Sequence, residues 1–294
     1  MSRSATRALC RNLGYSASRP GQNGVVLNPD FAAQYELALE ESRLFVGNRP
    51  RLEYVRTLEL LDRPLPSPPA RVLDVGGGTG VYAAPLCERG YTVHLVDPIA
   101  LHVERATQIA RTQASKRMTA SLGDARDLRE VDLGYDAVLL LGPLYHLTDE
   151  GERLQALREA IRVARPGGVV IAIGISRYAS LIDGLKRNIL DDPTFREIVT
   201  RDLHDGQHRN PDVLTRPEFF TTAYLHLPDE LEREARVAGL SSVRLFAVEG
   251  PAWILEDPDE LENELFAARA TEAERSLMAA SSHMMVTGTT PMRN

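Results

Sequence analysis

Leu73-Asp74-Val75-Gly76-Gly77-Gly78-Thr79-Gly80 decides how the rest of this chain is read. A short apolar run ends in a carboxylate and breaks into glycine, which predicts a strand turning sharply into a helix. Such a turn lets the backbone approach a ligand closely, with the helix N–H groups aimed at it. Spacing separates the ligand classes. A dinucleotide turn needs G-x-G-x-x-G, whereas Gly76, Gly78 and Gly80 give G-x-G-x-G, with Val81 standing where the third glycine belongs. No Lys-Ser or Lys-Thr pair follows, so a phosphate loop of the Walker type is excluded. A tight turn that binds nothing is the plain alternative.

Outward from the glycines, short β-branched runs alternate with longer amphipathic stretches, the pattern of βαβ units in a mostly parallel sheet. Strands are predicted at Arg71–Val75, Thr92–Asp97, Met118–Gly123, Ala137–Leu141, Val169–Ile175 and Val243–Glu249, and His283–Thr287 is a candidate final strand. Arg165-Pro166-Gly167-Gly168 reads as the turn that stops one helix and resets the chain. Upstream, apolar residues at helical spacing (Tyr35, Leu37, Leu39, then Leu52, Val55, Leu58, Leu61) predict two helices, followed by the proline-dense connector Arg63–Pro69. The resulting division is a flexible leader (1–30), an N-terminal helical segment with its linker (31–69), a core (70–176), an inserted cap (177–228) and the remainder of the core (229–294). An insertion that long is usually functional.

Composition narrows the partners. With 43% hydrophobic and 26% charged residues over 294 positions, the chain can bury a sizeable core, and no apolar run reaches membrane-spanning length. The net charge of -7, without a Lys/Arg cluster, gives no general attraction to phosphate backbones, so neither nucleic acid nor membrane is an expected partner. Cys10 and Cys87 suggest no disulfide framework and fit a reducing cytoplasm. The leader carries Arg3, Arg7, Arg11 and Arg19 with no acid before Asp30, a composition shared with organelle transit peptides; a tag-like segment is the plainer reading.

Val72 to Gly80 resembles motif I of the class I, Rossmann-like S-adenosylmethionine-dependent methyltransferases. The likeness continues through Asp97-Pro98 at the second strand end, Gly123-Asp124-Ala125 after the third, Leu141-Gly142 after the fourth and Ala164–Gly168 before the fifth. It covers the core from Ala70 to Ile175. It implies a seven-stranded, mostly parallel α/β sheet with N-terminal helices and a helical cap insertion. It also implies S-adenosylmethionine as cofactor. Asp74, Gly76, Gly78, Thr79 and Gly80 would then serve the methionine part, Asp97 and Pro98 the ribose, Gly123, Asp124 and Ala125 the adenine, with Leu141 and Gly142 beside them. Gly142–Leu147, Glu249-Gly250-Pro251 and Tyr178–Leu185 further resemble a group of bacterial small-molecule methyltransferases, compatible with secondary metabolism.

The fourth-strand loop should face the acceptor. Gly142-Pro143-Leu144-Tyr145 lacks the polar side chain that DNA adenine enzymes place there, and no carboxylate ends the strand, so neither a flipped base nor a metal is expected. His146 is the candidate general base and Tyr145 its companion or a pocket wall; a hydrogen-bonded structural histidine is the bland alternative. Tyr178, His204, His208, Arg209, Tyr224 and His226 are expected to line the acceptor pocket. His204 and His208 have the interval of a metal pair, but Gly206 and Pro211 argue against the helix that would align them. Arg43, Arg51, Glu53 and Arg56 read as a helix's wet face, and Trp253, Met284 and Met285 as core. The reaction expected is methyl transfer to an O, N or C nucleophile of a small molecule. A protein or RNA methyltransferase, a nucleotide-cofactor oxidoreductase and a non-catalytic cofactor binder are the rivals, and a homodimer is a candidate state.

Overall fold

The computed structural model describes residues 44–46, 49–112, 117–129, 133–255 and 259–292. The predicted leader and the first predicted helix, with Tyr35, Leu37, Leu39 and Arg43, lie outside the described residues. Apart from the short pair Phe45–Val46 and Arg49–Pro50, the described residues form one sheet of nine strands: β1 (Arg71–Val75), β2 (Thr92–Asp97), β3 (Met118–Leu122), β4 (Tyr135–Leu140), β5 (Ala164–Ser176), β6 (Gln207–His208), β7 (Ala223–His226), β8 (Ser241–Ala247) and β9 (His283–Thr289). The main sheet runs β8-β9-β5-β4-β1-β2-β3. Strands β1 to β5 are parallel, while β9 is antiparallel to both β5 and β8. Strand order reverses between β1 and β4, and in open α/β sheets ligands bind outside the carboxyl ends of the strands at such a switch point. Both glycine-bearing loops emerge there.

Helices α1 (Leu52–Leu61), α2 (Ala83–Glu88) and α3 (Ala100–Thr112) cover one face of the sheet. Leu60, Leu61, Leu86 and Ala106 from these helices pack against Leu139, Ile171, Ile173 and Met285. After a single helical turn α4 (Pro143–His146), helices α5 (Glu150–Val163) and α8 (Pro228–Ala238) cover the other face. There Leu157, Ala160, Leu231 and Ala235 meet Val138, Leu140, Val170 and Ala172. Alternation along β4 and β5 sends successive residues to opposite faces, and since both are apolar the strands read as continuous hydrophobic runs. Each fully buried Leu or Ile on these faces contributes about 1.5–3 kcal/mol. Asp149 caps α5, its carboxylate accepting from Glu152 N at 3.1 Å.

Three details differ from the sequence reading. The Arg165–Gly168 turn lies inside β5: Tyr135 faces Ala164 but Ala137 faces Val169, so the extra residues bulge outward with Gly167 at φ 71°. The insertion is more than a helical cap. It holds α6 (Ala179–Lys186) and α7 (Pro193–Asp205), then the β6–β7 pair, and β7 joins the main sheet beside the tip of β5 through Ile175↔Leu225 and Ser176↔His226. Arg56 is not on a wet face: it is fully buried, and its Nε donates to the Val248 carbonyl at 3.2 Å while Nη2 meets Glu272 at 2.6 Å. Helix α1 is thereby fastened to the end of β8. Trp253, Met284 and Met285 are buried, as core residues should be.

Candidate functional site

The turn after β1 is built from backbone. Gly76 takes φ 68° and Gly78 φ 59°, left-handed conformations that glycine adopts without penalty. A Cβ on Gly76 would lie 2.6 Å from Pro143 Cγ, so this turn and the loop after β4 touch, and only a hydrogen fits between them. A Cβ on Gly78 would meet nothing within 4 Å, which leaves that backbone open toward the cleft. Beneath it, Asp97 Oδ2 accepts from Gly78 N at 2.9 Å, while Oδ1 accepts from Ile99 N at 2.9 Å and lies 3.0 Å from His102 Nδ1. The acid that ends β2 therefore stitches the glycine turn to the start of α3. His102 is a contributor that no motif announces.

Asp74 is buried under the turn, with Oδ2 2.5 Å from where a Gly77 Cβ would stand. Neither of its carboxylate oxygens has a hydrogen-bond partner among the described residues. Burial, with the nearby charge of Asp97 adding to it, pushes its carboxyl up to about 7. A buried carboxylate in this condition is uncompensated, and a cation reaching it from the cleft would be stabilised strongly. Thr79 and Pro98 are half-buried beside the turn, and Gly80 is buried with a backbone φ of 94°. Gly123 needs to be glycine because a Cβ would press on Val96 Cγ1 at 2.6 Å. Asp124 is gripped by its neighbour Arg126, whose Nη2 lies 2.5 Å from Oδ2, and Ala125 is buried.

On the other side of the cleft stand Leu141, Gly142, Tyr145 and His146. A Cβ on Gly142 would lie 3.5 Å from both the Gly76 carbonyl and the Tyr145 hydroxyl, which puts Tyr145 at the seam between the two loops. His146 is half-buried, its ring edge-on to Tyr145 with centroids 4.6 Å apart and 5.9 Å from the ring of Phe220. Phe220 has φ 69° and ψ -176°, a region that is normally glycine's and costs a larger residue about 1–3 kcal/mol. Holding an aromatic ring over this loop is what that strain accomplishes. No sequence signal marks Phe220.

The loop is anchored by a buried ion pair. Arg153 on α5 reaches Glu234 on α8 at 2.7 Å, donates from Nη1 to the carbonyls of Leu147 and Thr148 at 3.0 Å each, and holds its guanidinium carbon 3.7 Å from the centre of the Tyr224 ring. Burial alone would raise the Glu234 carboxyl; hydrogen bonds from His226 and Arg153 outweigh it and bring it down to about 2. Burial likewise lowers His226, with Glu234 pulling back.

The six residues expected to line one polar pocket are not gathered into one. His204 and Arg209 are exposed, and Tyr178 is exposed at the start of α6. His208 is buried between Asp202, at 2.8 Å from Nδ1, and the Phe219 carbonyl, at 2.8 Å from Nε2. Only Tyr224 and His226 are neighbours, ring centroids 4.8 Å apart, and both belong to the Arg153–Glu234 network. The helix α7 ends at Gly206, which bends His208 back toward Asp202 and away from His204.

Residues 72–168 match the model of a methyltransferase domain family. Together with the strand order, that match gives this part of the chain a methyltransferase domain with the class I, Rossmann-like fold. The chain is similar to a protein of Mycobacterium tuberculosis named as an uncharacterized methyltransferase, 36% identical over 170 residues, covering 57% of this chain and 60% of that one. It is also similar to a ubiquinone biosynthesis O-methyltransferase of Azorhizobium caulinodans, 29% identical over 179 residues and covering 60% of each. The chain thus spans about three-fifths of the length of these curated relatives. Among solved structures, the CcbJ methyltransferase of Streptomyces caelestis superposes with a TM-score of 0.55 at 18% identity, over 87% of this chain and 96% of that one, a likeness of fold.

Proposed function

We propose that this chain transfers a methyl group from S-adenosylmethionine to an O, N or C nucleophile of a small molecule, in the manner of the bacterial small-molecule group, with a role in secondary metabolism. One arrangement carries the reading: the open left-handed backbone at Gly78, held by the carboxylate of Asp97, with the uncompensated carboxylate of Asp74 beneath the neighbouring Gly77. It suits a ligand with a cationic amino-acid end and a ribose.

Gly76, Gly78, Thr79 and Gly80 would pass under the amino-acid part, with Asp74 drawing its ammonium. Asp97 and Pro98 would take the ribose, and the Gly123–Ala125 segment the adenine. When bound, the donor supplies an electrophilic methyl on a sulfonium and leaves as a neutral thioether. The chain's own task is then to align a nucleophile and keep water away. Tyr145, Leu141, Gly142 and the strained Phe220 close the apolar side of that space, and His146 stands within it. Specificity for the acceptor would come from the insertion around Phe220 rather than from Tyr178, His204 or Arg209. Among the described residues no helix is long and apolar enough to cross a membrane, and Cys87 is a free buried thiol, which agrees with a cytoplasmic setting.

Methyl-labelled S-adenosylmethionine, incubated with the chain and a bacterial extract, should put label into organic-soluble small molecules. Label in the protein or RNA fraction would overturn the acceptor class. A melting temperature raised by NAD(P) and not by S-adenosylhomocysteine would overturn the donor.

A further inference from the structure

Phe219 and Phe220 are neighbours in sequence with different fates. Phe219 is buried in the insertion's own core, its ring 4.9 Å from that of Phe195 and in one apolar cluster with Ile198 and Val199. Phe220 leaves that core and packs, as Leu141 does, against the buried cluster that contains Tyr145. Its ring is only half-buried, and the rings of His146 and His208 lie 5.9 and 6.0 Å from it.

Buried side chains hold the backbone at this point. Asn210 Nδ2 donates to the carbonyls of Arg216 and Phe220 at 2.8 Å each, while its Oδ1 accepts from Asp212 N at 2.9 Å. His208 Nε2 lies 2.8 Å from the Phe219 carbonyl, and its other ring nitrogen is 2.8 Å from Asp202. The peptide groups on both sides of the Phe220 α-carbon are therefore pinned, which keeps it at φ 69° and ψ -176°. Strain of this kind persists only where the surroundings over-determine it, and it gathers at ligand clamps. Core packing does not account for it, since the ring stays partly open.

The ring also stands close to the donor turn. The helical turn α4, which carries Tyr145 and His146, lies against β7, the strand that Phe220 leads into. A Cβ on Gly142 would be 3.5 Å from both the Tyr145 hydroxyl and the Gly76 carbonyl. Phe220 thus meets the loop after β4 one residue from the side chain that meets the glycine turn. The two buried arginines of this region are already engaged, Arg153 with Glu234, and Arg177 with Glu230 and the Leu225 carbonyl. What this wall presents is therefore aromatic surface.

We propose that Phe220 selects the acceptor of the methyl transfer, as the wall on which an uncharged planar aromatic ring lies. The proposal rests on the methyl-transfer reading above. Two aromatic rings attract in offset-stacked or edge-to-face arrangements beyond what area burial gives, so a ring fixed in one place aligns a partner that is itself flat. A saturated ring of the same size and hydroxyl gains the apolar contact but loses that alignment, and alignment is what brings a nucleophile onto the methyl.

The test uses ring-matched competitors, naphthol against decalol and phenol against cyclohexanol, added while the chain moves label from S-adenosylmethionine into the small molecules of a bacterial extract. Wild type, Phe220→Leu and Phe220→Gly are compared, with S-adenosylhomocysteine affinity and melting temperature measured alongside. We expect the planar members to inhibit wild type at concentrations about tenfold lower than their saturated partners. Phe220→Leu should bring each pair to within about twofold of equal inhibition, with donor affinity also changed by no more than about twofold. Phe220→Gly removes the ring and the strain together, so it should lose the same preference while still folding. Wild type inhibited equally by both members of a pair, or by neither, overturns the planar acceptor; a preference that survives in both variants overturns Phe220 as its source. A wild type that moves no label defeats the methyl-transfer reading itself and this proposal with it.

Discussion

The two halves of the cleft are held by different means. The donor half is backbone: Gly76 against Pro143, Gly78 on Asp97, each fixed by what a glycine allows. The facing half is side chains reaching across the fold: Arg153 to Glu234, and Phe220 pinned in a strained conformation. A backbone site tolerates any sequence around it that keeps the turn, whereas a side-chain site changes with every residue. A shared donor and divergent acceptors are what such a division permits.

Substitutions can break this comparison. The largest effect is expected from Arg153→Met, which leaves the Glu234 carboxylate buried without its partner. Urea unfolding should show a loss of about 3–5 kcal/mol, while donor affinity at a temperature where the variant stays folded changes little. Gly76→Ala comes next and does the reverse. It forces a Cβ against Pro143 at an unfavourable φ, so S-adenosylhomocysteine affinity by calorimetry should fall at least tenfold, about 1.4 kcal/mol, with a smaller change in melting temperature.

Acidity gives a finer test. The folded Glu234 carboxyl sits at about 2 against an ordinary 4.5. A carboxyl lowered on folding stabilises the native state above the ordinary value, and that contribution drains as pH falls through about 2. His226, also lowered on folding, acts in the same direction, since its charged form is disfavoured where it is buried. Acid unfolding between pH 4.5 and 2 should therefore flatten in Glu234→Gln, after allowing for its lower starting stability. Asp74 has the opposite sign. Its folded value of about 7 against 3.8 makes it a contribution present at low pH and lost as pH rises through 7. Asp74→Asn should raise the melting temperature of the ligand-free chain at pH 8 by a few degrees, about 1–2 kcal/mol, and weaken donor binding at the same pH.

What was legible in the sequence follows the same division. The glycine spacing, the acids closing β1 and β2, and the alternation of strands with helices are local patterns, and each appeared close to where the residues predict it. Arg56 looked like a wet helix face because the carbonyl it serves is 192 residues away. Glu234 looked like one more helix acid because Arg153 is 81 residues distant. His283 was visible only as the start of a strand, the Glu249 carboxylate that it meets at 2.6 Å lying 34 residues earlier. The histidines of the insertion drew attention by crowding in sequence, yet crowding along the chain says nothing about which way a turn such as Gly206 sends them. Pro166 and Gly167 correctly announced a reset of the chain, but a bulge and a turn demand the same residues, and only pairing distinguishes them.

The strand β7 has a mechanical consequence. Because Leu225 and His226 are rungs beside Ile175 and Ser176, and Arg177 N donates to the His226 carbonyl at 2.8 Å, swinging the insertion outward would tear main-chain bonds from the sheet itself. The insertion is a fixed jaw. A ligand held beside it would meet a wall tied down by the sheet's own hydrogen bonds, one that cannot swing aside without breaking them.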